Sequence, residues 1–235
     1  MTDQTTDQTP TRQQTTKVLT WFRRTPGMSV DDFRRYWREE HPKAVLQMPG
    51  LLRYQQNHVT DAAYVKGQPF CDGVAETWWE STDVLRSHRD TPQLEALLID
   101  EAAFIDPANR QTIIVDEVVI TDGVVGPGAL KQFSWLQPRA DLSMAECQTY
   151  WRERHGPLAA TIPGIVRYVQ NHASPSHYRD RTPPYIGLPI AHLASLETAK
   201  LAMRSPELAA TRADEANFLS GEPLPFVIAE EHSIL

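Results

Sequence analysis

The stretch YWREEHPKAVLQMPGLLRYQQNH, Tyr36 to His58, returns as YWRERHGPLAATIPGIVRYVQNH, Tyr150 to His172. Each carries Tyr-Trp-Arg-Glu, a His five residues after the Tyr, a Pro-Gly pair and Arg-Tyr-x-Gln-Asn-His. Extended outward, the same shift aligns Lys17 with Lys131 and runs without a gap to Ile120 over Ile234, giving about 29 identities in about 104 pairs where chance gives roughly 6. Two copies with so long a period are a duplicated small domain that packs against its twin, not a solenoid. The Gly- and Pro-rich TDGVVGPGAL, Thr121 to Leu130, is the natural linker. The chain thus divides into a tail (1–16), a first domain (17–121), a linker (122–130) and a second domain (131–235).

Composition narrows the class of function. Of 235 residues, 41% are hydrophobic and 23% charged, and no apolar run reaches the roughly 20 residues that cross a bilayer. A net charge of -7 without a basic run argues against nucleic acid. The opening MTDQTTDQTPTRQQTT has no apolar core of a secretory signal and reads as a disordered tail. Cys71 and Cys147 occupy non-equivalent positions, which gives no disulfide framework and fits a reducing cytoplasm. The remaining partners are small molecules and other proteins, with no nucleic acid and no membrane expected. The chain is expected to be an intramolecular pseudo-dimer, with further homodimer formation left open.

Within each copy the pattern predicts β-α-β-β-α-β, the ferredoxin-like order. Strands are expected at Val18 to Arg23 and Gln132 to Leu136, then capping-box helix starts at Ser29 and Ser143. The first helix carries Phe33, Tyr36, Trp37, His41, Ala44, Val45 and Met48 as one apolar stripe, ended by Pro49-Gly50. In LLRYQQNHV, alternation puts Leu52, Tyr54, Gln56 and His58 on one face and Arg53, Asn57 and Val59 on the other. A third strand at Gly73 to Trp79 or Gly187 to Leu193, a helix behind Pro92 or Pro206, and a last strand at Gln111 to Ile120 or Pro225 to Ile234 complete a copy. One face of each sheet meets its helices, and a twin sheet is the obvious cover for the other.

Y-W-R-E-x-H, P-G-x-x-R-Y-x-Q-N-H, D-G-V-A-E-T-W-W (Asp72 to Trp79) and D-E-A-x-F resemble the EthD family of dimeric α+β barrel proteins. The resemblance implies an α+β fold: two tandem ferredoxin-like (βαββαβ) domains forming an intramolecular dimeric α+β barrel. It associates the chain with breakdown of ethers and other xenobiotics, and related barrels with dehydratase, cyclase, isomerase and cofactor-free oxygenase chemistry. It places the family's helix His on His41 and His155, and its strand Asn-His on Asn57-His58 and Asn171-His172. The third segment departs from the pattern in the second copy, where Ile190 and His192 replace Glu76 and Trp78.

The candidate catalytic residues are therefore His41, His58, His155 and His172, with Tyr54 and Tyr168 sharing the strand face of the second His in each copy. An imidazole in apolar surroundings exchanges protons near neutral pH, the requirement of elimination and isomerisation next to a carbonyl. A core or inter-sheet role explains the same residues without chemistry. Tyr36, Trp37, Asn57, Trp78, Tyr150, Trp151, Asn171 and His192 are the candidate substrate-binding residues, although aromatic residues at helical spacing are more often core. Arg53 and Arg167 read as ion-pair partners of Glu39 and Glu153. No nucleotide motif, nucleophile elbow or metal spacing occurs, so no cofactor and no metal are expected, although His155, His172, His177 and His192 could meet in space. The leading expectation is a cofactor-independent lyase, dehydratase or isomerase acting on a hydrophobic aromatic or polyketide-like molecule. The alternatives are a cofactor-free oxygenase and a non-catalytic binding or accessory protein. The second copy, richer in His, is the favoured chemical site.

Overall fold

A computed structural model of the chain describes residues 15–65, 67–175, 178 and 183–235. Residues 1–14 of the expected tail and His177 lie outside the described residues. The first copy comprises β1 (Thr16–Phe22), α1 (Val30–Glu39), α2 (Pro42–Val45), β2 (Leu51–Val59), β3 (Gly73–Trp79), α3 (Thr82–Ser87), α4 (Pro92–Glu101) and β4 (Gln111–Asp122). The second comprises β5 (Leu130–Ser134), α5 (Met144–Tyr150), α6 (Gly156–Ala159), β6 (Ile165–Ala173), β7 (Gly187–Leu193), α7 (Leu196–Ala202), α8 (Pro206–Glu215) and β8 (Phe226–Ser233).

The eight strands close into one antiparallel barrel in the order β1-β3-β2-β8-β5-β7-β6-β4. Each copy contributes a 4-1-3-2 ferredoxin-like sheet, and the seams are β2 against β8 and β4 against β6. The two sheets thus meet edge to edge as well as face to face, so no strand edge is left open. The fold expectation holds, with two local differences. The first apolar stripe is not one continuous helix: α1 ends at Glu39 and α2 begins at Pro42, because a proline lacks the N–H that would continue the ladder. The same junction in the second copy is a π turn, Trp151–His155, leading into Gly156-Pro157. The short helices α3 and α7 were also not anticipated.

Ser29 and Ser143 both cap their helices, each hydroxyl accepting from the backbone three residues on, while the return bond that completes the predicted capping box is made by Glu146 to Ser143 and not by Asp32 to the Ser29 backbone. Alternation then sorts every strand. Leu19, Trp21, Val59, Val74, Ile113, Phe133, Trp135, Leu188 and Val227 fill one half of the barrel interior. Phe22, Phe33, Trp37, Tyr54 and Phe104 form the layer between sheet and helices in the first copy. Gly73 is required there: a Cβ would lie 2.4 Å from the ring of Trp37.

Candidate functional site

The paired motif residues assemble into one buried network per copy, between α1 and the sheet. Trp37 Nε1 donates to Tyr54 Oη (2.9 Å), Gln56 Nε2 donates to the Trp37 carbonyl (2.6 Å), and the His58 ring stacks on Trp37 at 4.4 Å while bonding to Gln56 Oε1 (3.0 Å). His41 Nδ1 meets Asp100 Oδ2 at 2.5 Å, and Tyr36 Oη donates to the other oxygen of Asp100 at 2.9 Å. Trp151, Tyr168, Gln170, His172, His155, Asp214 and Tyr150 repeat these contacts.

Burial pushes the imidazoles of His58 and His172 down to about 3 and about 4, with neighbouring arginines adding to the effect, so both are neutral at pH 7. Burial also lowers His155, partly offset by Asp214. The hydroxyls of Tyr54 and Tyr168 are raised by burial, the latter to about 12. The four histidines and two tyrosines are thus brought together copy by copy, but none lines the cavity at the barrel mouth or the cavity under α7 and α8. His58 reaches only a smaller recess beside Arg34, Arg38 and His232. Asn57 and Asn171 face the barrel interior and donate to the Val74 and Leu188 carbonyls.

Trp78 and His192 lie in a different place, the polar mouth of the barrel, together with Glu76 and Ile190. The divergent third segment therefore does form opposite walls of one cavity. Arg53 stacks on Trp78 and Arg167 pairs with Asp122, in place of the expected Glu39 and Glu153. Among the described residues no three His, Cys, Asp or Glu side chains converge as metal ligands.

Another cavity, about 580 Å³, lies in the second copy between the sheet and helices α7 and α8. Leu193, Ala199, Ala202 and Leu224 are among its walls, and Gln132 and Ser134 of β5 are part of its floor. The positions that match those four walls in the first copy hold Trp79, Leu85, His88 and Arg110, and there the space is packed: Trp79 lies against Val18 and Met48, and His88 meets Trp79 at 5.1 Å and bonds to the Pro49 carbonyl. Loss of side-chain volume has opened the second copy.

A carboxylate changes state with it. In the first copy Glu101 is ion-paired to Arg110 at 2.7 Å. Its counterpart Glu215 lines the cavity, and Leu224 stands where that arginine would be. Burial raises the Glu215 carboxyl to about 7, with Asp214 adding to the rise and Arg212 opposing it. Tyr168 packs with Ile162, Ala191 and Ala202 behind the cavity wall and feels the charge of Glu215. A carboxyl poised near neutrality in an apolar hollow can both take and return a proton. Motif reading takes Asp214-Glu215, like Asp100-Glu101, as an anchor of its helix and gives Glu215 no site role; the signal for one is the four large-to-small differences between aligned copies.

The EthD domain profile matches residues 25–108 and again 139–222. No curated protein matches the chain in sequence. Among solved structures, an anthrone oxidase-like protein superposes with a TM-score of 0.62 at 11% identity, over 94% of this chain and 93% of that one. A variant of the chlorite dismutase of Candidatus Nitrospira defluvii superposes with a TM-score of 0.57 at 11% identity, over 92% and 91%. At such identities these likenesses establish the fold alone.

Proposed function

The chain belongs to the EthD family, and from that premise we propose that it is an enzyme that moves a proton on a hydrophobic small molecule in the cavity of its second copy. The observation that carries this is Glu215, left without the arginine of its twin and raised to about 7 inside an apolar hollow. Glu215 acts as the general base and then the general acid, which suits a lyase, dehydratase or isomerase working next to a carbonyl. Ser134 and Gln132 on the strand floor orient the substrate oxygen. His155, held by Asp214 at 2.9 Å, and Tyr168 are positioning residues that fix α8 and the cavity's inner wall. The matching network of the first copy, with His41, His58, Tyr36, Trp37 and Tyr54, holds the fold there. Apolar walls favour a flat aromatic or polyketide-like substrate.

The test is the turnover of such substrates by Glu215→Gln and Glu215→Asp. Loss in the first, partial recovery in the second, and a group near 7 in the wild-type pH profile support the assignment; unchanged turnover by Glu215→Gln removes it. A second reading, oxygenation without a cofactor, draws support from the name of the anthrone oxidase-like fold relative. Oxygen uptake during turnover separates the two.

A further inference from the structure

The interior of the barrel is divided along its axis. One half is packed with apolar side chains; the other holds an open chamber of about 590 Å³, roofed by the linker from Val125 to Ala129. Lys17 and Lys131, each only 3% exposed, stand at equivalent positions and grip the two oxygens of buried Glu76 at 2.7 and 2.5 Å. Each lysine also meets the glutamate of its own last strand, Glu117 at 2.7 Å and Glu231 at 2.5 Å. Burial drives the Glu76 carboxyl upward, but the two lysines outweigh it and hold the group well below the usual range.

Hydrogen bonding in this chamber is one-sided. Both oxygens of each carboxylate already accept: Glu76 from the two lysines and from Asn57, Glu117 from Lys17 and the Trp78 indole, Glu231 from Lys131 and Gln55. The groups left over are the Arg53 guanidinium, a donor, and His192, whose neutral ring offers one donor and one acceptor. Arg53 lies on the Trp78 ring at 4.5 Å and, among the described residues, has no carboxylate partner. His192 opposite has no hydrogen-bond partner among them and is neutral, burial and Lys131 having pushed it down to about 4. Register shifts at Leu51/Arg53 and Ile165/Arg167 mark β-bulges at the two arginines, a device that re-aims side chains at the rims of barrels. Within the second copy's mostly polar share of the wall, Ile190 and Val169 form an apolar strip where the first copy supplies Glu76 and Gln55.

We propose that the barrel mouth is a second ligand site, separate from the Glu215 cavity, which binds a small organic carboxylate. Its carboxylate sits on the Arg53 guanidinium, and its apolar body lies against Ile190 and Val169. The Arg53 guanidinium, without a carboxylate partner among the described residues, selects an anion over an amine, and the chamber is of ligand size, far larger than an inorganic ion needs.

Titration calorimetry with benzoate, with benzyl alcohol as the neutral isostere and with inorganic phosphate tests this on the full chain. Benzoate is expected to bind once per chain, roughly tenfold or more tighter than the alcohol and tighter than phosphate. Arg53→Met keeps the apolar stem over Trp78 and is expected to weaken benzoate about tenfold or more with no change in melting temperature, while Glu215→Gln leaves benzoate binding intact. His192→Leu serves as a second variant should Arg53→Met not fold. Absence of saturable benzoate binding, equal binding of benzyl alcohol, phosphate bound as tightly as benzoate, or loss of benzoate binding through Glu215→Gln alone would each overturn the site. Because Glu215→Gln tests the catalytic cavity by turnover and the barrel mouth by calorimetry, failure of one reading is distinguishable from failure of the other.

Discussion

The space between the sheet and the last two helices is packed in the first copy and hollow in the second. Both copies fold alike, yet Trp79, Leu85, His88 and Arg110 face Leu193, Ala199, Ala202 and Leu224 at matching positions. The first arrangement neutralises Glu101 with Arg110, whereas the second leaves Glu215 with its carboxyl near 7. Duplication allows this division of labour: one copy secures the barrel, and the other accepts a cavity that a lone domain would find costly. The shared histidine network follows the opposite course, preserved in both copies where it locks helix to strand.

The comparison breaks most directly through chemistry. Glu215→Gln is expected to lower turnover by roughly 10²–10⁴-fold, while Glu101→Gln leaves turnover near the wild-type value, as steady-state kinetics will show. Comparable loss from both substitutions would end the assignment of chemistry to the second copy. By the same logic His155→Ala is expected to reduce turnover more than His41→Ala.

A smaller effect, in stability, is expected from the centre of the barrel. Glu76→Gln leaves Lys17 and Lys131 buried without their shared carboxylate and is expected to destabilise the chain by roughly 3–5 kcal/mol, read from urea unfolding. Trp79→Leu imitates Leu193 in the first copy and should cost roughly 2–4 kcal/mol. The reverse change at Ala199, to Leu, fills the hollow, with little loss of stability but weaker binding of an apolar probe such as 2-naphthol, measured by fluorescence titration.

The smallest and most specific effect is in pH dependence. Glu215 rises from 4.5 to about 7 on folding, so the folded state prefers its protonated form. Its contribution is complete below about 4.5 and is lost as pH climbs through 7. His58, His172 and His192 fall from 6.5 to about 3, 4 and 4; their contribution is present above 6.5 and is lost as pH falls toward 4. The two trends oppose each other in the same window. Glu215→Gln should therefore steepen the acid loss of stability between pH 4.5 and 6.5, and an unchanged slope in chemical denaturation would show that the carboxyl is not raised.

Much of the architecture was legible because it depends on local spacing. Ser29 and Ser143 announced helix starts, Gln111 to Ile120 and its twin announced strands, and the repeat announced a second sheet. The break at His41-Pro42 was not read, since an apolar stripe continues across it while the backbone ladder does not. Candidate site residues were harder. His41, His58 and their twins stand out because they are repeated, but they meet Asp100, Gln56 and Trp37, or Asp214, Gln170 and Trp151, and line neither the barrel mouth nor the cavity under α7 and α8. Glu215 sits in the same D-E-A-x-F motif as Glu101, and its different state depends on Leu224 in place of Arg110 and on the smaller side chains of Leu193, Ala199 and Ala202.

What the sequence determined by itself was the duplication, the order β-α-β-β-α-β in each half and which strand residues share a face, because these follow from chain periodicity and capping. Tertiary structure alone decided that β2 joins β8 and β4 joins β6, that Lys17 and Lys131 share one carboxylate, and that four smaller side chains from separate elements empty one common volume. Cavities and charge balance are sums over residues distant in the chain, and only packing brings those residues together.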